Sequence, residues 1–215
     1  GDDALAVFSS CERKVNLSED IQIRNNTVIG VYWASGITIW GAKDLDITNN
    51  LVADIALHTG IGLNSWGYES PAPENLWIRN NRIERCGNVN EGNQDNGAFG
   101  LTPAKAKYTH GTYNNIYKNI FCENNEFIDN PSVFMRISSQ SGADEVFLNI
   151  RYNYIRNTCL AFPERRRVID YRTSSVKGKD IFSYNVLEGE YEKFKTSNTS
   201  DMTDVLVGNV PDNWN

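Results

Sequence analysis

Apolar and polar positions alternate over short stretches of this chain, and one such stretch recurs. The shared pattern is apolar, any, apolar, any, Asn or Tyr, Asn, any, apolar. It is met at Ile21-Gln-Ile-Arg-Asn-Asn26-Thr-Val28, Leu45-Asp-Ile-Thr-Asn-Asn50-Leu-Val52 and Leu76-Trp-Ile-Arg-Asn-Asn81-Arg-Ile83. It returns at Ile120-Phe-Cys-Glu-Asn-Asn125-Glu-Phe127, at Leu148-Asn-Ile-Arg-Tyr-Asn153-Tyr-Ile155 and, more weakly, at Asp180-Ile-Phe-Ser-Tyr-Asn185-Val-Leu187. A period of two is a strand signal, and no segment sustains the 3.6-residue period of a helix. The second Asn recurs at spacings of 24, 31, 44, 28 and 32 residues, which is the mark of a solenoid carrying loops of variable length.

Each repeat predicts a strand, an Asn-marked bend and a second short strand. A third strand precedes the motif at Ile37–Ile39, Ile61–Leu63, Phe99–Leu101, Val133–Met135 and Val168–Asp170. Three short strands per turn describe an all-β, right-handed parallel β-helix, with residues 1–215 as a single domain. An antiparallel sandwich needs tight hairpin signals, and only Asp95-Asn96-Gly97 comes near one. The chain holds 27 Asn. Asn tolerates the left-handed backbone of a tight bend, and stacked Asn side chains can bond to one another in a ladder at one corner.

Composition narrows the function. The net charge is −6 with no long basic run, which counts against nucleic acid and anionic membranes as partners. No apolar stretch reaches the ~20 residues of a membrane helix, and a 40% hydrophobic content argues against disorder. Cys11, Cys86, Cys122 and Cys159 show no metal-ligand spacing, and their pairing is left open. Cys122 occupies the inward slot held elsewhere by Ile23, Ile47, Ile78 and Ile150, so it reads as a small buried hydrophobe. No metal site and no cofactor motif is visible. Structural calcium held by loop carboxylates and carbonyls is compatible with the composition, but no ligand set is defined.

Candidate chemistry sits at the start. Gly1-Asp2-Asp3-Ala4-Leu5-Ala6-Val7-Phe8 places two adjacent carboxylates where a strand begins. A carboxyl pair can supply the acid and the base of glycosidic cleavage. Strict alternation would send the two side chains to opposite faces, so a bend at Gly1 is needed for both to serve one cleft. With Ile37, Ile39, Ile61 and Leu63 inward, Thr38, Trp40, Gly62 and Asn64 face outward on the same surface. Trp40 and Trp66 suit the apolar faces of sugars, with Trp33 and Tyr68 ranked below them. His58 is placed at the bend before Ile61. Arg136, Asp170 and Arg172 fall on the same face of later turns, and Arg165-Arg166-Arg167 reads as a solvated bend. The insertions at 85–97 and 103–119 are expected to wall a groove.

These residues resemble the polygalacturonase-like β-helix glycoside hydrolases, which carry a Gly-Asp-Asp at this place. The likeness is nearest to family 87, the α-1,3-glucanases and mycodextranases. It is carried by Asp2-Asp3-Ala4-Leu5-Ala6, Asn25-Asn26-Thr27-Val28, Ala34-Ser35-Gly36-Ile37-Thr38-Ile39-Trp40-Gly41, Asn50-Leu-Val-Ala-Asp54 and Gly60-Ile61-Gly62, over roughly residues 1–66. Polygalacturonases would place Gly-His-Gly on the next strand and Arg-Ile-Lys a turn later. This chain has Ala34-Ser35-Gly36 and no Arg-Ile-Lys, which argues against pectin.

The resemblance implies a pectate-lyase-like solenoid and an inverting, endo-acting hydrolase of α-1,3-glucan or mixed α-1,3/1,4-glucan. It implies a secreted, monomeric protein with a polysaccharide as its partner. Asp2 and Asp3 would be catalytic, and Trp40, Asn64, Trp66, His58 and Arg136 would bind substrate. A third catalytic Asp would stand before Gly1, the chain being the C-terminal part of a catalytic domain without its first coils. A polysaccharide lyase or epimerase, or a non-catalytic carbohydrate-binding β-helix, is the alternative.

Overall fold

The computed structural model describes residues 2–9, 17–65, 70–88, 96–103, 116–138, 145–162, 167–171, 177–196 and 201–211. Every regular element among them is a strand, and the strands fall into three parallel sheets. The first sheet runs β1 (Leu5–Phe8), β4 (Ile37–Trp40), β7 (Ile61–Asn64), β10 (Phe99–Thr102), β13 (Met135–Ile137), β16 (Arg167–Tyr171), β19 (Lys193–Thr196). The second runs β2 (Glu19–Arg24), β5 (Lys43–Thr48), β8 (Glu74–Arg79), β11 (Tyr117–Glu123), β14 (Glu145–Arg151), β17 (Lys177–Ser183), β20 (Asp201–Val207). The third joins β3 (Thr27–Ile29), β6 (Leu51–Ile55), β9 (Arg82–Cys86), β12 (Glu126–Ile128), β15 (Tyr154–Arg156) and β18 (Val186–Glu188). Each of the first six coils contributes one strand to each sheet, the last described coil adds β19 and β20, and each strand pairs with its counterpart in the neighbouring coil. This is a parallel β-helix, wound in the right-handed sense that parallel crossovers take.

The core is a set of stacked columns. Ile23, Ile47, Ile78, Cys122, Ile150 and Phe182 are in register on the second sheet. Val28, Val52, Ile83, Phe127, Ile155 and Leu187 do the same on the third. Cys122 is buried as expected, and Cys86, Cys122 and Cys159 are all free thiols. Burial pushes the Cys86 thiol up to about 12, which leaves it inert. Asp180 breaks the apolar rule. Its fully buried carboxylate accepts a hydrogen bond from the Tyr171 hydroxyl at 2.7 Å.

The ladder is present and one rung longer than the repeat suggests. Asn26, Asn50, Asn81, Asn125, Asn153, Asn185 and Asn209 each bond to the next, backbone N–H and side-chain Nδ2 both donating to the following Oδ1 at 2.9–3.0 Å. From Asn50 onward Nδ2 also donates to a carbonyl of the previous coil, as Asn125 does to Ile78 at 2.8 Å. The left-handed conformation falls on the residue before each rung, at Asn25, Asn49, Asn80, Asn124, Tyr152, Tyr184 and Gly208. The two Tyr rings stack outside the corner, 5.3 Å apart at 8°. A Cβ on Gly208 would meet the Tyr184 ring at 2.7 Å, so glycine ends the row.

Outside the second sheet, Asp46 joins three coils. Its carboxylate accepts from Arg24, Arg79 and the Thr48 hydroxyl. Burial opposes its charge, but the hydrogen bonds from Arg79, Thr48 and Arg24 outweigh that and hold the carboxyl below its ordinary range. A lowered folded pKa gives stability that is present above the unfolded value and is lost as pH falls through the folded one. Asp46→Asn is therefore expected to cost about 1 kcal/mol at pH 7, since its Arg partners are partly solvated. The gap from wild type should close in acid below the usual carboxylate range. Thermal melts at graded pH check this, and a gap that widens in acid would contradict it.

Candidate functional site

The outward face of the first sheet carries a cleft of about 310 Å³. Register explains who lines it. Ala6, Thr38, Gly62, Gly100, Arg136 and Asp170 form one outward column, and Phe8, Trp40, Asn64 and Thr102 form the next. The bend before each strand contributes a pair of residues at a constant offset: Asp2-Asp3 before Leu5, Ala34-Ser35 before Ile37, His58-Thr59 before Ile61, and Asn96-Gly97 before Phe99. All eight line the cleft.

This offset resolves the alternation problem. Asp2 and Asp3 precede β1 rather than belonging to it, so the pleat does not divide them between two faces. Asp3 Oδ1 accepts the Ser35 backbone N–H at 2.8 Å, while Asp2 Oδ1 accepts the Asp3 N–H at 3.0 Å. The Ser35 hydroxyl in turn accepts from Thr59 Oγ1 at 3.1 Å. One row of bonds thus runs from Asp3 across three coils.

The floor beside that row has no side chains for two coils. A Cβ on Gly62 would lie 2.8 Å from Thr59 Oγ1, and one on Gly100 would lie 2.3 Å from Thr59 Cγ2. Thr59 comes down onto the sheet there, and only glycine leaves it room. The neighbouring Thr38 hydroxyl is buried and has no hydrogen-bond partner among the described residues.

His58 is half-buried in the cleft, and its imidazole makes no hydrogen bond to a described residue. Burial lowers its pKa, with the charge of Asp3 acting in the opposite direction. It is therefore neutral at pH 7, a polar ring able to donate and accept. Arg136 stands at the far end, on the fifth coil, about 19 Å from the carboxylates at one strand spacing per turn. Its guanidinium donates to Asn96 Oδ1 at 3.4 Å and to Ser138 Oγ at 3.2 Å. The cleft therefore grades from acidic and aromatic to basic.

The structure gathers Asp2, Asp3, Trp40, Asn64, His58 and Arg136 around this one cleft. Trp66 lies outside the described residues, as do Tyr68, Arg172 and the central parts of both long insertions. Two expectations are corrected. The strand on the fifth coil is Met135–Ile137 rather than Val133–Met135, because Val133 and Phe134 bury themselves in the bend before it. Asp170 shares the Arg136 column as expected, yet it is buried and paired with Arg167 at 3.1 Å, so Arg167 is not the solvated residue expected. Sequence reasoning did not pick out Ser35, Thr59, Asn96, Thr102 or Ser138. The signal that finds the bend members is their fixed offset from each strand's first apolar residue. Among the described residues no three His, Cys, Asp or Glu side chains gather as a metal-binding group.

Such an arrangement can hold an extended polar polymer, present aromatic faces to its rings and bring two carboxylates to one bond. No protein-family model and no curated protein matches the chain. Solved structures do. The catalytic unit of a thermostable family 87 α-1,3-glucanase from Streptomyces thermodiastaticus strain HF3-3 is 20% identical, with a TM-score of 0.75 over 97% of this chain and 37% of that one. The Agl-KA catalytic domain is 17% identical, with a TM-score of 0.65 over 95% and 35%. An aspartate-to-alanine variant of a family 87 α-1,3-glucanase catalytic domain, in complex with tetrasaccharides, is 17% identical, with a TM-score of 0.67 over 98% and 39%. The fold is thus the fold of these domains. The chain spans 35–39% of their length.

Proposed function

We propose that this chain carries the cleft of an inverting, endo-acting hydrolase of α-1,3-glucan or mixed α-1,3/1,4-glucan. The observation that carries the reading is the opening of Asp2 and Asp3 together into one elongated cleft on the first sheet. The likeness to α-1,3-glucanase domains supports the linkage.

Inversion is a single displacement at the anomeric carbon. One carboxyl protonates the glycosidic oxygen, so the departing sugar leaves as an alcohol. A carboxylate takes a proton from the water that attacks the opposite face of the ring. Asp2 and Asp3 fill these roles, with Asp3 fixed in place by the Ser35 amide. Trp40, Trp66 and Asn64 contact sugar rings and hydroxyls. His58, neutral, and Arg136 complete the polar wall. An insoluble polymer is met outside the cell, so we assign the protein there, acting as a monomer. No helix among the described residues is long and apolar enough to cross a membrane.

Incubating the full polypeptide with α-1,3-glucan is expected to release a ladder of oligosaccharides and a matching rise in reducing ends. A lyase would add the ultraviolet absorbance of a new double bond. Binding without release would mark a carbohydrate-binding β-helix. Either outcome overturns the hydrolase reading, and release of monosaccharide alone would overturn endo action.

A further inference from the structure

Among the described residues that line the cleft, the most exposed aromatic side chain belongs to a residue outside that mechanism. Trp33 is 55% exposed and lines the same cleft as both carboxylates. Its neighbour Tyr32 is 69% exposed but does not line the cleft. An indole left half in water contributes little to the core, and this one makes no hydrogen bond through its N–H to a described residue. Its position is nonetheless well defined. Trp33 is two residues from Ser35, whose amide holds Asp3 at 2.8 Å, so its Cα lies within ~7 Å of the Ser35 Cα. Ala34, between them, also lines the cleft. The rim beside the carboxylates is thus a flat apolar ring with a free donor at its edge, before β4 begins, while Trp40 is the last residue of that strand.

We propose that Trp33 is a sugar-binding platform that stacks on one pyranose ring of the glucan chain beside the scissile bond. A pyranose presents an apolar C–H face framed by hydroxyls, and an amphipathic indole with an unused N–H matches both. The occupant is a neutral sugar rather than a protein segment because the ring is continuous with the cleft that holds Asp2 and Asp3. This inference rests on the hydrolase reading above. Trp33 contributes binding that is equal in ground and transition states, so its loss falls on KM more than on kcat.

The test is steady-state kinetics of Trp33→Ala and Trp33→Phe in the full polypeptide, on α-1,3-glucan oligosaccharides. Trp33→Ala is expected to raise KM ~5–10-fold with a smaller fall in kcat, and Trp33→Phe to recover most of the loss. Tryptophan fluorescence gives an independent readout. The change that an α-1,3-linked tetrasaccharide causes in Asp3→Asn should shrink when Trp33→Phe is added. That comparison decides the matter should Trp33→Ala lose its fold. A KM within twofold of wild type, or an unchanged fluorescence response, overturns the platform while leaving the hydrolase reading intact. A wild-type polypeptide that cleaves no α-glucan overturns both.

Discussion

Asp3→Asn in the full polypeptide is expected to lower glucan hydrolysis by ~10²–10⁴-fold, the usual cost of losing a positioned acid or base. Asp2→Asn should do the same, and the double variant should be little worse than either single one, since residues acting as a unit are not additive. The fold should not notice. Asp3 meets the protein through an accepted hydrogen bond from Ser35, and an Asn carboxamide keeps an acceptor oxygen at that place. Asp2 is exposed and accepts only from the Asp3 amide among the described residues. Thermal midpoints should therefore stay level or rise slightly as two adjacent negative charges become one. Near-normal turnover by both single variants would refute the assignment. Loss of activity together with loss of fold would show that the pair is structural.

The second large effect belongs to the ladder. Asn125 is buried; it accepts from the Asn81 backbone N–H at 2.9 Å and from Asn81 Nδ2 at 3.0 Å, and donates to Asn153 Oδ1 at 3.0 Å and to the Ile78 carbonyl at 2.8 Å. Alanine would leave donors and an acceptor unsatisfied where water cannot replace them, at about 1–3 kcal/mol for each group that stays unpaired. Relaxation recovers part of this, so a loss of about 3–4 kcal/mol is expected. For a chain of this size that lowers the melting midpoint by ~6–16 °C. Asn26, on the first coil, donates to Asn50 and to the Arg24 carbonyl and is only half-buried. Its alanine variant should cost about 1 kcal/mol. Equal losses from the two variants, by denaturant titration, would contradict the view that the ladder is a run of nearest-neighbour contacts.

Much of this architecture is legible in the sequence because a solenoid repeats its physics. An inward Ile at one coil predicts an inward residue at the next, and the Asn column follows from one bend geometry used again and again. Where the repeat is diluted, reading falters. Asn209 is preceded by Leu206-Val207-Gly208 with no second Asn or Tyr, so the motif misses a rung that the hydrogen bonds complete. Tyr152 and Tyr184 hold the left-handed position although Asn is the usual choice, because their rings stack and recover apolar contact. The fifth coil slips by two residues because Val133-Phe134-Met135 is apolar throughout and offers alternation no foothold.

The candidate site was half legible. Outward residues of the strands, such as Trp40 and Asn64, follow from alternation alone. Ser35, Thr59 and Asn96 lie in bends, where side-chain direction depends on turn geometry and on Thr59 settling over Gly62 and Gly100. Arg136 was placed on the correct face, but its anchoring by Asn96 joins residues 40 positions apart and no local pattern announces it.

The most direct test of the whole account is the anomeric form of the first sugar released from α-1,3-glucan by the full polypeptide, followed by proton NMR before mutarotation. A single displacement at an α-linkage predicts β-anomeric reducing ends at the earliest times, decaying toward the equilibrium mixture. Reducing ends that appear first as the α-anomer, or no cleavage at all, would contradict it.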